Sequence, residues 1–481
     1  MEESEGLRRG LKPHHLQFIS IGGIIGSAYF LGTGYVVAKA GPAAILSYLL
    51  GGLLVYLVML CLGELAVHIP TSGSFVTYAN EFIHPVVGCG VGWSYWCNWV
   101  VFVPSEMIAS GIVMNHYVPS VGVLAWAIGF GVLLTAINLV DVGTFGELEF
   151  WLCLIKVLAI VGFILVAVLI CFGLLGSQPP PSSAYLWTQQ GFFPQGTASV
   201  LLTMVIILVN FQGTEIIGLA AGESRDPERS IPAAVRAVSY RIILLYVVPV
   251  ALLIAILPWQ EAGMKQSVFA LALDRYQLRN LSALLSFVVL TAAISCSNSG
   301  IYATSRALYS LAREGMAPGW LGKVNQHGVP QAAILLTVSG CWLVLALYAL
   351  DKSGKLYEQL LAIAGFTGTI VWISICWAQW GFRRRLVQAG FDVASLRFRT
   401  AFFPYLTIFA IVAQILCLVV AASNADFQVA IYLAFALLLV PMLAYALWGK
   451  NQRNLEGSTA HHHFQEMIKE GLPCQPSIAN D

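Results

Sequence analysis

The 481-residue chain is 58% hydrophobic and only 10% charged, whereas soluble domains carry about 25% charged residues. So few charges cannot wet the surface of the roughly two or three domains that a soluble chain of this length would form. A formal net charge of +1 gives no reason to expect nucleic acid as a partner, and ten scattered cysteines with no Cys-x-x-Cys pair argue against a metal site or a disulfide scaffold.

Apolar runs of about 20 residues, enough to cross ~30 Å of hydrocarbon, recur from end to end. They predict an all-α integral membrane protein of about twelve transmembrane helices, at 15–40, 44–68, 87–115, 121–140, 149–175, 197–222, 238–258, 280–310, 331–350, 357–380, 403–422 and 427–448. Residues 1–14 hold Arg8, Arg9 and Lys12 without a cleavable signal pattern and read as a cytoplasmic lead. No linker divides 15–448, which reads as a single transmembrane domain, and 449–481 reads as a cytoplasmic tail in which His461, His462 and His463 are solvated.

Basic residues test this topology, because cytoplasmic loops carry the excess of Lys and Arg. With both termini inside, 18 fall on the cytoplasmic side, 6 outside, and Lys156 lies within a span. The polar, Pro-rich segment 176–196 lacks Lys and Arg, as a translocated loop should, while 381–400 is basic and reads as a cytoplasmic loop. The expected location is the cell membrane, multi-pass. No Walker lysine motif is present, so transport would draw on a gradient, with no cofactor, no metal and no catalytic residue.

Two spans are badly built for lipid. The first contains Gly22-Gly23-Ile24-Ile25-Gly26-Ser27, and the sixth contains Asn210-Phe211-Gln212-Gly213-Thr214-Glu215. Each glycine alone fits close helix packing equally well. Together, interrupted helices five spans apart mark transporters built from inverted repeats. A break frees N–H groups at one half-helix end and carbonyls at the other, and an amino acid carries the two complementary charges. The N–H groups near Gly26, Ser27 and Ala28 are therefore expected to hold the substrate carboxylate, and carbonyls near Asn210 and Phe211, with Gly213 opening the turn, its ammonium.

Ionisable residues inside spans cost ~2.5–3.5 kcal/mol each at the bilayer centre, so each needs a reason. Lys156 lies a turn or two inside the fifth span; it either snorkels or has a buried partner. Glu149, seven residues earlier, and Glu64 read as surface anchors. Glu215 follows the sixth-span break and either caps freed N–H groups or meets ligand. Glu106, two residues after Pro104, either bonds a kinked backbone or faces the substrate. Ser295, Asn298 and Ser299 share one face of the eighth span, as helix glue or as ligands, while Trp93, Trp96 and Trp99 read as packing.

Five stretches carry a resemblance. They are IGGIIGS in the first span, CLGELAVHIPTSGSF at the end of the second and in the loop after it, GELEFWLCLIKV entering the fifth, FQGTEIIGLAAGESRDPERSIPAAVR across the sixth and its exit, and SNSGIYATSRALYSLAREGMAP in the eighth. Over nearly its full length the chain resembles the amino acid permeases of the amino acid–polyamine–organocation superfamily. The resemblance implies a five-plus-five inverted repeat with discontinuous helices 1 and 6, two extra C-terminal helices, alternating access, and proton-coupled symport of an amino acid. One departure is Ala28, where the family usually has glycine. The match at LIKV implies that Lys156 replaces a sodium ion, reaching carbonyls near Gly22 and the hydroxyls of Ser295 and Ser299, and exchanges the coupled proton. The sixth-span stretch is nearest in feel to permeases for basic amino acids, with Glu106 and Glu215 as the acids for a cationic side chain. A neutral amino acid permease and a transport-incompetent amino acid receptor are the alternatives. An ion channel would need a repeated polar ring and an enzyme a His/Asp/Glu or Cys/His cluster; neither is present. The expected partners are an amino acid, protons and the lipid bilayer, in a monomer or homodimer.

Overall fold

The computed structural model describes residues 25–140, 145–176, 181, 185–186, 191–221, 227–264, 266–325, 329–351, 354–448 and 459–471. Gly22 and Gly23 of the first-span glycine run lie outside them. In chain order the helices are α1 (Ser27–Ala40), α2 (Ala44–His68), α3 (Phe75–Phe82), α4 (Pro85–Tyr117), α5 (Val123–Val140) and α6 (Phe145–Cys171). Then come α7 (Ala198–Leu202), α8 (Met204–Asn210), α9 (Ile216–Ala220), α10 (Pro227–Arg241), α11 (Val248–Ile256) and α12 (Val268–Arg275). The remainder are α13 (Arg279–Arg313), α14 (Gln331–Leu350), α15 (Leu356–Gln388), α16 (Tyr405–Ala422), α17 (Gln428–Trp448) and α18 (Thr459–Gly471).

Nine continuous helical stretches among the described residues are long and apolar enough to cross a bilayer. Three features account for the difference from twelve. The first stretch, Ser27–His68, contains two spans joined by a single 3-10 turn at Gly41–Ala43. Gly41 has φ +62°, the left-handed geometry that reverses the chain there at no Cβ cost. The fourth span has only a shorter apolar helix, Val123–Asn138. The sixth is broken into α7, α8 and α9 and contains no long helix at all.

Charge and burial divide each helix. Leu158 and Leu165 of α6, Val412 and Val419 of α16 and Leu443 of α17 are more than half exposed, forming an apolar exterior that only lipid can cover. α4 is the central post, packed against α3, α5, α13, α14, α15 and α17. It stays helical through Pro104, as membrane helices do when neighbours satisfy the freed backbone. α1 lies against α8, α4, α12 and α13, and the sixth-span break reaches the post through Tyr95 and Asn98 of α4, which donate to Glu215 and Gln212.

Two regions differ from the sequence reading. α15 runs on to Gln388, so Arg383, Arg384 and Arg385 sit on a helix and not in a loop. Glu64 is fully buried, not a surface anchor: Arg383 Nε and Nη2 donate to its Oε1 and Oε2 at 2.5 and 2.8 Å, and Gln379 Nε2 and the Thr400 N–H add bonds of 3.0 and 2.5 Å. The short helix α3 sits in the segment after the second span, with the Phe82 ring edge-to-face against Phe382 and against Phe464 of α18. The Trp93 and Trp96 ring N–H groups donate to Met316 O and Thr337 Oγ1, and Trp99 is fully buried, so all three pack.

Candidate functional site

The site grows from the two breaks. α1 begins at Ser27, after Gly26 in an extended conformation (φ −104°, ψ −174°). A new helix leaves its first N–H groups without intrahelical partners and its N-terminal end positive. Glu106, from the middle of α4, fills that role: Ser27 N–H donates to Oε2 at 2.8 Å and Ala28 N–H to Oε1 at 3.3 Å. Gly26 is required by this approach, since a Cβ there would lie 2.8 Å from Glu106 Oε1 and 2.9 Å from Cys296 Sγ. The Ala28 methyl group leaves the backbone contact intact.

In the sixth span α8 ends at Asn210 and α9 begins at Ile216. Gly213 turns the chain with φ +97°, a conformation that disfavours every residue with a Cβ. Glu215 folds back over the turn. Both its oxygens accept from Gly213 N–H at 3.1 Å, Tyr95 OH donates to Oε1 and Trp372 Nε1 to Oε2, each at 3.2 Å. This carboxylate is buried and saturated with donors. Asn210 Nδ2 donates to Tyr48 OH at 2.6 Å, and that hydroxyl is 2.6 Å from Thr33 Oγ1, tying the sixth span to the first two.

Lys156 is wholly buried. Its Nζ donates to Ile25 O at 3.0 Å and to Ser295 Oγ at 2.7 Å. The ammonium thus ties α6 to the carbonyl just ahead of the first-span break and to α13, whose Ser299 is one turn further on and also fully buried. The chain pays for an interior ammonium only because this geometry supplies acceptors.

Several groups at the breaks were not picked out from the sequence. Tyr29 of α1 and Tyr246 have ring centroids 4.6 Å apart, Tyr246 and Phe211 also 4.6 Å, and Tyr29 and Tyr48 6.3 Å. Tyr246 lies in a wider, π-type helical stretch, Ile242–Val247, an irregularity frequent at functional sites. Tyr29 OH, Tyr246 OH and Asn210 Oδ1 are buried with no protein hydrogen-bond partner among the described residues. Ile25, Phe211, Thr214, Arg241 and Tyr246 line a cavity of about 10 Å³ between the breaks, room for about one water. An amino acid does not fit in that cavity.

Among the described residues, a first-span helix that starts only at Ser27, a sixth span broken between Asn210 and Ile216, and a buried lysine that reaches Ile25 O together form the helix-end geometry with which membrane transporters hold solutes. Residues 15–456 match the family described as Amino acid permease. The chain belongs to that family. It is 41% identical over 408 residues to amino-acid permease RocC of Bacillus subtilis (strain 168), covering 84% of this chain and 86% of that protein. It is 39% identical over 431 residues to the lysine-specific permease LysP of Escherichia coli (strain K12), covering 87% and 86% respectively. It is 36% identical over 412 residues to the gamma-aminobutyric acid permease of Bacillus subtilis (strain 168), covering 86% and 87%. The family is one of multi-pass membrane transporters of amino acids, and this permease has that fold: all-helical, with twelve spans.

Proposed function

We propose that this permease is a secondary active transporter of the cell membrane that takes up an amino acid together with protons by alternating access, with both termini in the cytoplasm. The observation that carries the reading is the Lys156 ammonium on Ile25 O and Ser295 Oγ. It bridges the start of the first-span helix and the eighth span, as a bound sodium ion would, and an ammonium can give up a proton and stay behind as a neutral amine, which a metal ion cannot do.

Substrate recognition then follows from competition for two N–H groups. The substrate carboxylate needs the donors of Ser27 and Ala28, which Glu106 occupies. Two carboxylates cannot share them at close range without severe repulsion. Entry of substrate therefore displaces Glu106, and the freed carboxylate turns to the positive end of a basic side chain such as that of lysine or arginine. The α-ammonium meets carbonyls near Asn210 and Phe211, beside the unpartnered Asn210 Oδ1. A neutral substrate is the second reading. It is favoured by Glu215, whose oxygens are already taken by Gly213, Tyr95 and Trp372, and by the similarity to a gamma-aminobutyric acid permease.

The test is Glu106→Gln assayed against a panel of labelled amino acids. For a basic substrate, the half-saturation concentration of lysine rises at least about tenfold, equivalent to ~1.4 kcal/mol, and more than that of any neutral competitor. A parent protein that prefers alanine, serine or leucine to lysine sinks the basic reading and leaves the neutral one.

A further inference from the structure

Glu149 was expected at a surface, yet it is fully buried. It lies seven residues before Lys156 on α6, about two helical turns, and so on the same face. Ser295 of α13 joins the two: its Oγ accepts from Lys156 Nζ at 2.7 Å and donates to Glu149 Oε1. Ser299, one turn after Ser295, is buried beside the same carboxylate, while Glu149 Oε2 makes no hydrogen bond of normal geometry among the described residues. A proton carried by Lys156 alone would leave this carboxylate without a task, although an idle buried carboxylate is costly.

We propose that Glu149 is the proton acceptor and donor for Lys156, with the Ser295 hydroxyl as the relay between them. This deepens the proton-coupled reading and rests on it. A hydroxyl both donates and accepts, so a proton passes without any group moving far. Lys156 Nζ gives a proton to Ser295 Oγ as the Ser295 hydroxyl proton transfers to Glu149 Oε1. The products are a neutral amine, a restored hydroxyl and a neutral carboxylic acid. Total charge is zero before and after, so the transfer avoids the cost of creating a lone charge in low dielectric. Glu149 then exchanges its proton through Oε2 with whichever side of the membrane is open. The amine, no longer charged, releases Ile25 O and with it the first-span break, which links deprotonation to the conformational change.

The other ionisable groups near the pair are Glu106 from α4, Cys153 from α6, Cys296 from α13, and Arg241, which adjoins Cys153 from the end of α10. Glu106 is engaged by Ser27 and Ala28. Ser295 bridges the ammonium to the Glu149 carboxylate, and the buried Ser299 hydroxyl lies beside that same carboxylate.

The experiment uses the full-length protein in proteoliposomes, a radiolabelled mixture of the proteinogenic amino acids, and an inward proton gradient. Glu149→Gln keeps the shape and an acceptor for Ser295 but cannot take up a proton. Gradient-driven accumulation should fall at least about tenfold, while counterflow persists and the pH dependence of uptake flattens. Glu149→Asp, which retains a titrating group, should keep accumulation with a displaced pH profile, and Ser295→Thr should keep what Ser295→Ala loses. Glu149→Gln accumulating like the parent with an unchanged pH profile overturns the inference while the Lys156 reading stands. Loss of counterflow together with accumulation in Glu149→Gln, not rescued by Glu149→Asp, marks a structural role and overturns it too. A parent indifferent to the proton gradient refutes the proton-coupled reading itself.

Discussion

Lys156→Ala will reduce proton-driven accumulation to background while leaving some binding or exchange. The substitution removes the cation that holds Ile25 O and Ser295 Oγ together, and with it the group proposed to carry the proton. Exchange needs only the two breaks and a conformational change, so it persists at a lower rate. Lys156→Arg separates charge from proton chemistry. A guanidinium supplies a permanent positive charge and more donors, but it does not deprotonate in a protein. Arginine should therefore fail to restore accumulation even where it restores folding. Uptake against a gradient in proteoliposomes checks both variants, with counterflow as the internal control. A Lys156→Ala protein that still concentrates amino acid under a proton gradient removes the lysine from the mechanism.

The second large effect is on stability. Glu64→Ala leaves Arg383 buried without its bidentate carboxylate, and orphans Gln379 Nε2 and the Thr400 N–H as well. Removing one partner of a buried ion pair costs about 3–5 kcal/mol, because an uncompensated charge remains. The same principle predicts that replacing both partners with apolar residues is far cheaper. Glu64→Leu combined with Arg383→Met should therefore recover most of what Glu64→Ala loses. Thermal unfolding of the detergent-purified proteins reads this out as midpoint shifts. If the double variant is as unstable as the single one, the ion pair is not the source of the effect.

The fold was readable because lipid imposes a coarse code. Apolar runs of the right length mark spans, and the interruption at Asn210–Glu215 could be seen since Gly213 and its polar neighbours cannot continue a lipid-facing helix. The polar partners were not readable. Glu64 and Glu149 lie near span ends, where a local reading puts them in the interface. What buries them is Arg383, 319 residues away, and Ser295, 146 residues away. Tyr29, Tyr48 and Tyr246 sit in three different spans and look like ordinary aromatic filler until the breaks bring their rings together. Glu106 was noticed for its depth, but its place at the start of α1 depends on how α4 crosses Gly26, which no spacing along the chain records. Lys156 was the exception: a lysine that deep asks for acceptors wherever they are, and the motif around it pointed to the first and eighth spans.

The most direct test of the account is uptake by the purified permease in proteoliposomes, offered each amino acid in turn under an inward proton gradient without sodium. The account predicts that one amino acid, or a chemically related group led by lysine or arginine, becomes concentrated inside, and that a protonophore abolishes the concentration. Binding without accumulation or counterflow would contradict it and mark a receptor; sodium-dependent uptake that a protonophore leaves untouched would contradict the role given to Lys156.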